Sequence, residues 1–313
     1  MAAANDLAGR LRALWDAQAN EWPMMAKGVA CLADSEVREV EYGGLRCKLQ
    51  FNPGRAVSAS AKVDARSIAA RPCFLCEKNR PAKQRGVDAG DGYVFLCNPM
   101  PIFNPHFTVP TRNHQPQRID ACLPKMLELA QRLSGLFTVF YNGPKCGASA
   151  PDHLHLQASP LGATPFEEQL IADASGFIDW SAQSDITVGL TAEPGPPAIV
   201  VAGADRDAVL AHVQKVLASL AEHFPADPEP MLNALALHTD GTFRVVLFPR
   251  ASHRPTNFGT DEGQVLVSPG LVDMLGLLIT PRREDFDNLD GEAVAEIYRE
   301  VTRERKELAQ SFM

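Results

Sequence analysis

The sequence predicts an α+β protein made of two related halves. Two patterns predict it. Short runs alternate polar with apolar residues, as half-buried strands do, and longer runs carry apolar residues at helical spacing. These elements follow a roughly similar order on either side of about residue 160, which divides the chain into 1–159 and 160–313. At 313 residues the chain has room for one large domain or two medium ones.

The N-terminal stretch "MAAANDLAGRLRALWDAQ" has no long apolar centre and reads as a short amphipathic helix, not a signal peptide. "VREVEYGGLRCKLQFNP" reads as two strands joined at Gly43-Gly44. The small, polar "GRAVSASAKVDARSIAARP" is expected to be an ordered loop, and the proline-bounded "RPCFLCEKNRP" a knuckle-like turn. Strands follow at Tyr93–Cys97 and near His106–Val109, on either side of a proline-rich bend. In "LPKMLELAQRLSGLF" the residues Leu123, Met126, Leu127, Ala130 and Leu133 keep helix spacing; "FTVFYNG" is the next strand.

The second half opens with a helix, "PFEEQLIADAS", whose Pro165 suits a first helical position. "PPAIVVAG" is a short strand. "DRDAVLAHVQKVLASLAEHF" is a helix with one apolar stripe through Val209, Leu210, Val213, Val216, Leu217 and Leu220. "MLNALALHTDGTFRVVLFPR" is a hairpin turning at Asp240-Gly241. The apolar "SPGLVDMLGLLITP" reads as a strand or strand pair, and the segment from Arg283 as a charged amphipathic helix.

A net charge of -8 argues against a general nucleic-acid or membrane-surface binder, although a local basic pocket for a phosphate ligand is compatible with it. No apolar run is long enough to span a bilayer. The seven cysteines are odd in number and lack disulfide-like spacing, so a reducing cytoplasm is expected.

The most informative stretch is "APDHLHLQASP". Its alternation predicts a half-buried strand with His153, His155 and Gln157 on one face and Leu154 and Leu156 in the core. Two imidazoles and an amide on one face suit a metal site or a reacting centre; a solvated strand edge is the plainer alternative. Cys73 and Cys76 have the spacing that lets two thiolates reach one zinc, with His106, His114 and His153 available to complete a tetrahedral set. A pair of buried thiols in a tight turn is the alternative. The loop "NGPKCGASAPD" places Lys145, Ser149 and small residues just before His153, where they suit phosphate contact or simply a turn. Arg250, His253 and Arg254 in "FPRASHRP", and Arg55 and Lys62 in "GRAVSASAKVD", are either phosphate clamps or solvated basic corners.

The motif set "CFLC", "FTVPTRNH", Asn142-Gly143 and H-L-H-L-Q, in that order, resembles the histidine-triad superfamily, in particular its galactose-1-phosphate uridylyltransferase branch. "SPGLVDMLGLLITPRREDFDNL" and the H-L-H-x-Q motif are similar to the GDP-L-galactose phosphorylases, and the diadenosine tetraphosphate phosphorylases share the general plan. An uncharacterised bacterial subfamily with the same landmarks is also a candidate. "FNPGR" resembles a nucleotide-gripping arginine segment of these families. Leu154 stands where the uridylyltransferases have proline, and the phosphorylase branch need not carry the metal.

The resemblance implies two histidine-triad-like halves with antiparallel sheets flanked by helices, packed as an internal pseudo-dimer. It implies zinc on Cys73, Cys76, His114 and His153, His155 as nucleophile, and Gln157 as the amide that holds the transferred phosphoryl group. Asn142, Lys145, Ser149, Arg55, Lys62, Arg250, His253 and Arg254 are the expected substrate and phosphate contacts. An imidazole that attacks an α-phosphorus splits one displacement into two. It must be neutral, and a backbone carbonyl on its other nitrogen fixes the tautomer in the superfamily. The superfamily's hydrolases commonly carry a third histidine where Gln157 stands, so the amide favours transfer over hydrolysis. The expected activity is phosphorolysis of a nucleoside diphosphate sugar through a nucleotidyl-His155 intermediate. The expected partners are the nucleotide sugar, or alternatively a dinucleoside polyphosphate, and inorganic phosphate, in a monomer or homodimer. A non-catalytic, zinc-stabilised nucleotide-binding protein is the rival reading.

Overall fold

The protein is seen in a computed structural model that describes residues 2–60, 63–174, 178–183 and 185–312. Helices α1 (Ala2–Glu21) and α2 (Pro23–Ala33) lead into a hairpin of β1 (Glu36–Tyr42) and β2 (Leu45–Phe51), turning at Gly43 and Gly44, both at positive φ. Two short helices follow where a loop was expected, α3 (Ala56–Ala59) and α4 (Ala65–Ala69); the Asp64 carboxylate caps α4 by accepting the Ser67 N–H. Then come β3 (Gly86–Gly90), β4 (Tyr93–Cys97), β5 (Phe107–Pro110), α5 (Ile119–Arg132), β6 (Phe137–Asn142) and β7 (His155–Pro160).

Helix α6 (Pro165–Ala172) begins at Pro165 and is capped by Thr164. After it lie β8 (Ile178–Gln183), β9 (Ile186–Thr191), β10 (Ile199–Gly203), α7 (Arg206–His223) and the hairpin β11 (Leu232–Thr239) and β12 (Thr242–Pro249). "SPGLVDMLGLLITP" is not a strand pair. It folds as one helical turn, α8 (Leu271–Met274), and a single strand, β13 (Leu277–Thr280). The Asp273 carboxylate draws in the Gly270 N–H, and Gly276 turns the chain at φ +85. The charged C-terminal segment is three helices instead of one, α9 (Arg283–Asn288), α10 (Gly291–Val301) and α11 (Arg305–Phe312); Asp290 starts a new N-cap at the first break.

Ten strands form a single sheet in the order β3-β4-β5-β7-β6-β11-β12-β10-β9-β8. Outward from its centre, β6-β7-β5-β4-β3 on one side matches β11-β12-β10-β9-β8 on the other. In chain order each series is three strands, a helix (α5 or α7) and two strands. The neighbouring pairs are antiparallel, including β6 with β11 at the junction. The α+β class read from the sequence is therefore the architecture observed.

The two-residue period of a strand gives this sheet two unlike faces. One face sends Val109, Val139, Tyr141, Leu154, Leu156 and Ala158 into a core built with α1, α5 and α7. The other sends Phe140, Leu235, Val246 and Phe248 into a second core beneath a three-stranded sheet, β1-β2-β13. Strand β13 runs parallel to β2, so the end of the chain closes over its beginning. No helix among the described residues is long and apolar enough to cross a membrane.

Candidate functional site

Pairing registers place the site on the second face of the sheet. Gln157 lies opposite Thr108 of β5 and Phe140 of β6, and His155 lies opposite Pro110. Directly opposed residues point to the same side, so His155, Gln157, Thr108 and Phe140 share one face, and all four line a cavity of about 500 Å³. Leu154 and Leu156 are fully buried in the core on the far side, as the alternation requires.

His153 does not share that face. The strand begins at His155, and His153 sits on the turn before it, its N–H donating to the Ala150 carbonyl. Its ring joins the cysteine pair instead. The ligand atoms of Cys73, Cys76, His114 and His153 all lie within 4.8 Å of one another. His153 Nδ1 is 3.2 Å from Cys73 Sγ and 3.5 Å from Cys76 Sγ, and His114 Nδ1 is 3.3 Å from Cys76 Sγ. The other nitrogen of each ring has an orienting neighbour. His153 Nε2 is 2.7 Å from the Thr111 carbonyl, to which it can only donate, so its Nδ1 keeps the lone pair. His114 Nε2 lies 3.7 Å from the Asp152 carboxylate. Two thiols and two imidazole nitrogens in this arrangement can hold a metal ion with tetrahedral preference. His106, the other candidate for the third ligand, is not in the cluster.

His155 is 4% exposed. Its Nδ1 lies 2.7 Å from the His153 carbonyl oxygen, so Nδ1 carries the hydrogen and donates it, and Nε2 keeps its lone pair. Burial pushes the imidazole down to about 4, against the raising effect of that hydrogen bond, so the ring is neutral at neutral pH. Gln117 holds the backbone around it: its Oε1 accepts the His155 N–H at 2.8 Å, and its Nε2 donates to the carbonyls of His155 and Asn142 at 3.0 and 2.9 Å. Gln117 was not singled out in the sequence, because nothing in a lone loop glutamine announces a partner 38 positions away.

The loop before His153 also reaches the cavity, through Gly147, Ala148 and Ser149. Gly147 sits at φ +93, and a Cβ there would meet Gly270 Cα at 2.8 Å, so the loop packs against the turn before α8. Among the described residues the backbone N–H groups of Ala148 and Ser149 donate to no protein acceptor. Such amides on a cavity wall suit an anion. Asn142 also lines the cavity; its Oδ1 accepts from the Leu271 N–H and from Asn233 Nδ2.

The expected cations fare unequally. Arg55 lines the cavity, donates Nη1 to the Met100 carbonyl, and is lowered by burial only to about 10, so it stays charged at neutral pH. Arg254 lines it too, with Nε on Ser268 Oγ and its guanidinium 4.0 Å from the Phe258 ring centroid. Arg250 corrects the expectation of a clamp. It is 1% exposed, and its five N–H groups serve the Val301, Pro269, Ser252 and His253 carbonyls and Asn233 Oδ1. A guanidinium so saturated is a structural strut and has no donor to offer a ligand. His253 lines the cavity, but burial and the neighbouring Arg254 push it down to about 4, so it is no cation at neutral pH. Lys145 is exposed and lies off the cavity wall. Lys62 lies outside the described residues.

Two wall residues were missed. Arg71, two before the cysteine pair, donates to the Ser149 carbonyl and stacks 5.2 Å from the Phe74 ring centroid. Asp273 lines the wall as a buried carboxylate that accepts the Gly270 and Ile279 N–H groups; burial raises it to about 6.

The model of the family described as "Domain of unknown function (DUF4922)" matches residues 14–160. The crystal structure of yeast Ap4A phosphorylase is similar over 90% of this chain and 94% of that chain, with TM-score 0.52 and 18% identity. Its complex with AMP is similar over 88% of this chain and 93% of that chain, again with TM-score 0.52 and 18% identity. A DUF4931 family protein from Bacillus cereus ATCC 10987 gives TM-score 0.40 and 11% identity over 57% of this chain and 88% of that chain. No curated protein matches the chain by sequence. At these identities the likeness to the yeast enzyme is one of fold.

Proposed function

We propose that the chain is a nucleotidyltransferase of the phosphorylase type that works through a nucleotide held covalently on His155. One observation carries the reading: a buried neutral imidazole has its Nδ1–H committed to a backbone carbonyl and lines a cavity shared with Gln157 and two uncommitted backbone amides. In the first step Nε2 attacks the α-phosphorus of a nucleotide. A P–N bond forms, the bridging P–O bond breaks, and its electron pair leaves with the departing phosphate group. Gln157, the Ala148 and Ser149 amides and Arg55 are suited to the charge that gathers on the phosphoryl oxygens. In the second step an oxygen of inorganic phosphate attacks, the P–N bond breaks, and its electron pair returns to Nε2. The product is a nucleoside diphosphate.

The division into a catalytic half, 1–159, and a second half, 160–313, that completes the pocket is proposed on the repeated strand order. Strand β12, the counterpart of β7, carries Val246 and Phe248 toward the second core, so a second reacting centre lacks its imidazole. Zinc is the metal we assign to Cys73, Cys76, His114 and His153, in a structural role, because four protein ligands leave no position open for water.

Dinucleoside polyphosphates fit this cavity at least as well as nucleotide sugars. Arg55, Arg71 and Arg254 come from three separate segments to one cavity, which suits a chain of phosphates. The fold likeness to an Ap4A phosphorylase points the same way. A nucleoside diphosphate sugar is the second reading, and Asp273 is the observation that favours it. A carboxylate in the wall accepts from sugar hydroxyls and repels phosphate.

The test is intact mass spectrometry after incubation with Ap4A and with GDP- and UDP-sugars, phosphate omitted. A nucleotidyl adduct on His155, discharged by phosphate as nucleoside diphosphate, is the expected result. Binding without an adduct from any of these would support the non-catalytic nucleotide binder. An adduct that decays equally fast without phosphate would make the protein a hydrolase.

A further inference from the structure

We infer that His106 is a positioning residue that sets which end of the Gln157 amide faces the transferred phosphoryl group, turning the Gln157 NH2 toward it. The inference rests on the nucleotidyl-transfer reading and adds to it a residue that touches neither metal nor substrate. An amide is nearly symmetric in shape, and its two ends act oppositely on a phosphoryl oxygen: the NH2 attracts it and the carbonyl repels it. Something must decide between them.

The decision follows from one hydrogen that cannot move. Ile102 is the neighbour of His106 Nδ1, and its backbone N–H, at 3.2 Å, can only donate. Nδ1 must therefore accept and carries no hydrogen. A neutral imidazole has one N–H, which then lies on Nε2, and this nitrogen is 3.0 Å from the Gln157 side-chain oxygen. Gln157 meets the ring with Oε1, so its NH2 is the end left for the cavity that both Gln157 and His155 line.

The surroundings hold the ring still and uncharged. His106 is fully buried, edge-on to Phe103 at 5.7 Å and stacked on Phe140 at 6.1 Å between centroids. Burial, reinforced by the nearby Arg55 charge, pushes the imidazole down to about 3. A second ring proton, which would leave Ile102 N–H facing another donor, is thereby kept off. Gln157 in turn is held by strands on both sides, opposite Thr108 and Phe140, so its side chain starts from a fixed backbone.

The test uses His106→Phe, which keeps the aromatic packing and removes both nitrogens, His106→Gln, which can restore one N–H donor, and Gln157→Leu. Formation of the His155 adduct should slow about ten- to a hundredfold in His106→Phe and in Gln157→Leu, the loss expected for one hydrogen bond to a charged group. The double variant should be no slower than Gln157→Leu alone, and His106→Gln should recover most of the rate. Losses that multiply in the double variant, or a wild-type rate in His106→Phe, would overturn the inference. A second measurement needs neither turnover nor a variant. Nitrogen-15 spectra of the wild-type protein should show His106 with hydrogen on Nε2 and a bare Nδ1 from pH 6 to 8. A hydrogen on Nδ1 would overturn the inference even if the adduct forms. The expected tautomer without any adduct would leave this hydrogen bond standing and sink the transfer reading instead.

Discussion

The carbonyl oxygen of His153 accepts the Nδ1–H of His155 at 2.7 Å, while the ring of the same His153 lies in the Cys73–Cys76–His114 cluster. One residue thus does two jobs from two ends. Its side chain is tied to the knuckle, and its backbone sets the tautomer of the proposed nucleophile. A metal bound in the cluster would fix the carbonyl and so the imidazole, although it would take no part in the chemistry.

His155→Ala should abolish adduct formation and lower turnover by roughly a thousandfold or more, since no neighbouring group replaces the attacking nitrogen. His155→Gly with added imidazole should recover part of the activity. Mass spectrometry and product formation read both. A wild-type rate in His155→Ala would end the covalent mechanism.

Protein purified without added metal should contain about one zinc per chain by elemental analysis. Cys73→Ser or Cys76→Ser should lose the metal and lower the melting temperature, and chelation should do the same to the wild type. Metal-free protein with unchanged thermal stability would remove zinc from this site.

Arg254→Gln should slow discharge of the adduct by phosphate about ten- to a hundredfold, as loss of a charged hydrogen bond predicts, and weaken nucleotide binding, with the adduct still forming at saturating nucleotide. Arg250→Gln should act on stability. It strips donors from the buried carbonyls of Val301 and Pro269 and should cost about 3 kcal/mol or more, read as a lower denaturation midpoint. A stable Arg250→Gln protein that discharges slowly would return Arg250 to the phosphate site.

Glu229 gives a pH-dependent prediction away from the site. It is 6% exposed, accepts the Tyr141 O–H at 2.6 Å and the Ile119 N–H at 2.7 Å, and is raised by burial from 4.5 to about 7. Between these values the unfolded chain has released its proton and the folded protein has not, so stability falls as pH rises. Its contribution is fully present below about pH 4.5 and is lost by about pH 7, about 3 kcal/mol in all. Glu229→Gln, nearly the same shape, should flatten this slope in urea melts across that window. An unchanged slope would place the titration elsewhere.

Much of the fold was legible in sequence because it rests on local periodicity. The stripe through Val209, Val213, Val216 and Leu220 needs only its own spacing to mark α7, and Asp240-Gly241 needs only its own backbone freedom to mark the β11–β12 turn. Signals failed where local preference was overruled. The run around Leu271–Thr280 is apolar enough for strand throughout, and the Asp273 bond to Gly270 bends its first half into a helical turn. "SASAKVDARSIAA" reads as loop by composition, yet Asp64 caps a helix there.

The sequence by itself determined the chemistry available: which thiols and imidazoles exist, and that Leu154 and Leu156 turn His155 and Gln157 to the same side of a strand. Only the tertiary structure decided how each group is used. His114 joins the cluster while His106 lies buried behind Gln157, Arg254 reaches the cavity wall, and Arg250 is used up in the interior. The physical reason is that spacing along a strand sets the direction of a side chain, whereas its partners come from segments far away in the chain. Gln117 reaches His155 across 38 positions and His106 reaches Gln157 across 51. Those partners, through burial and hydrogen bonding, decide which nitrogen carries the proton and which donor remains for a ligand.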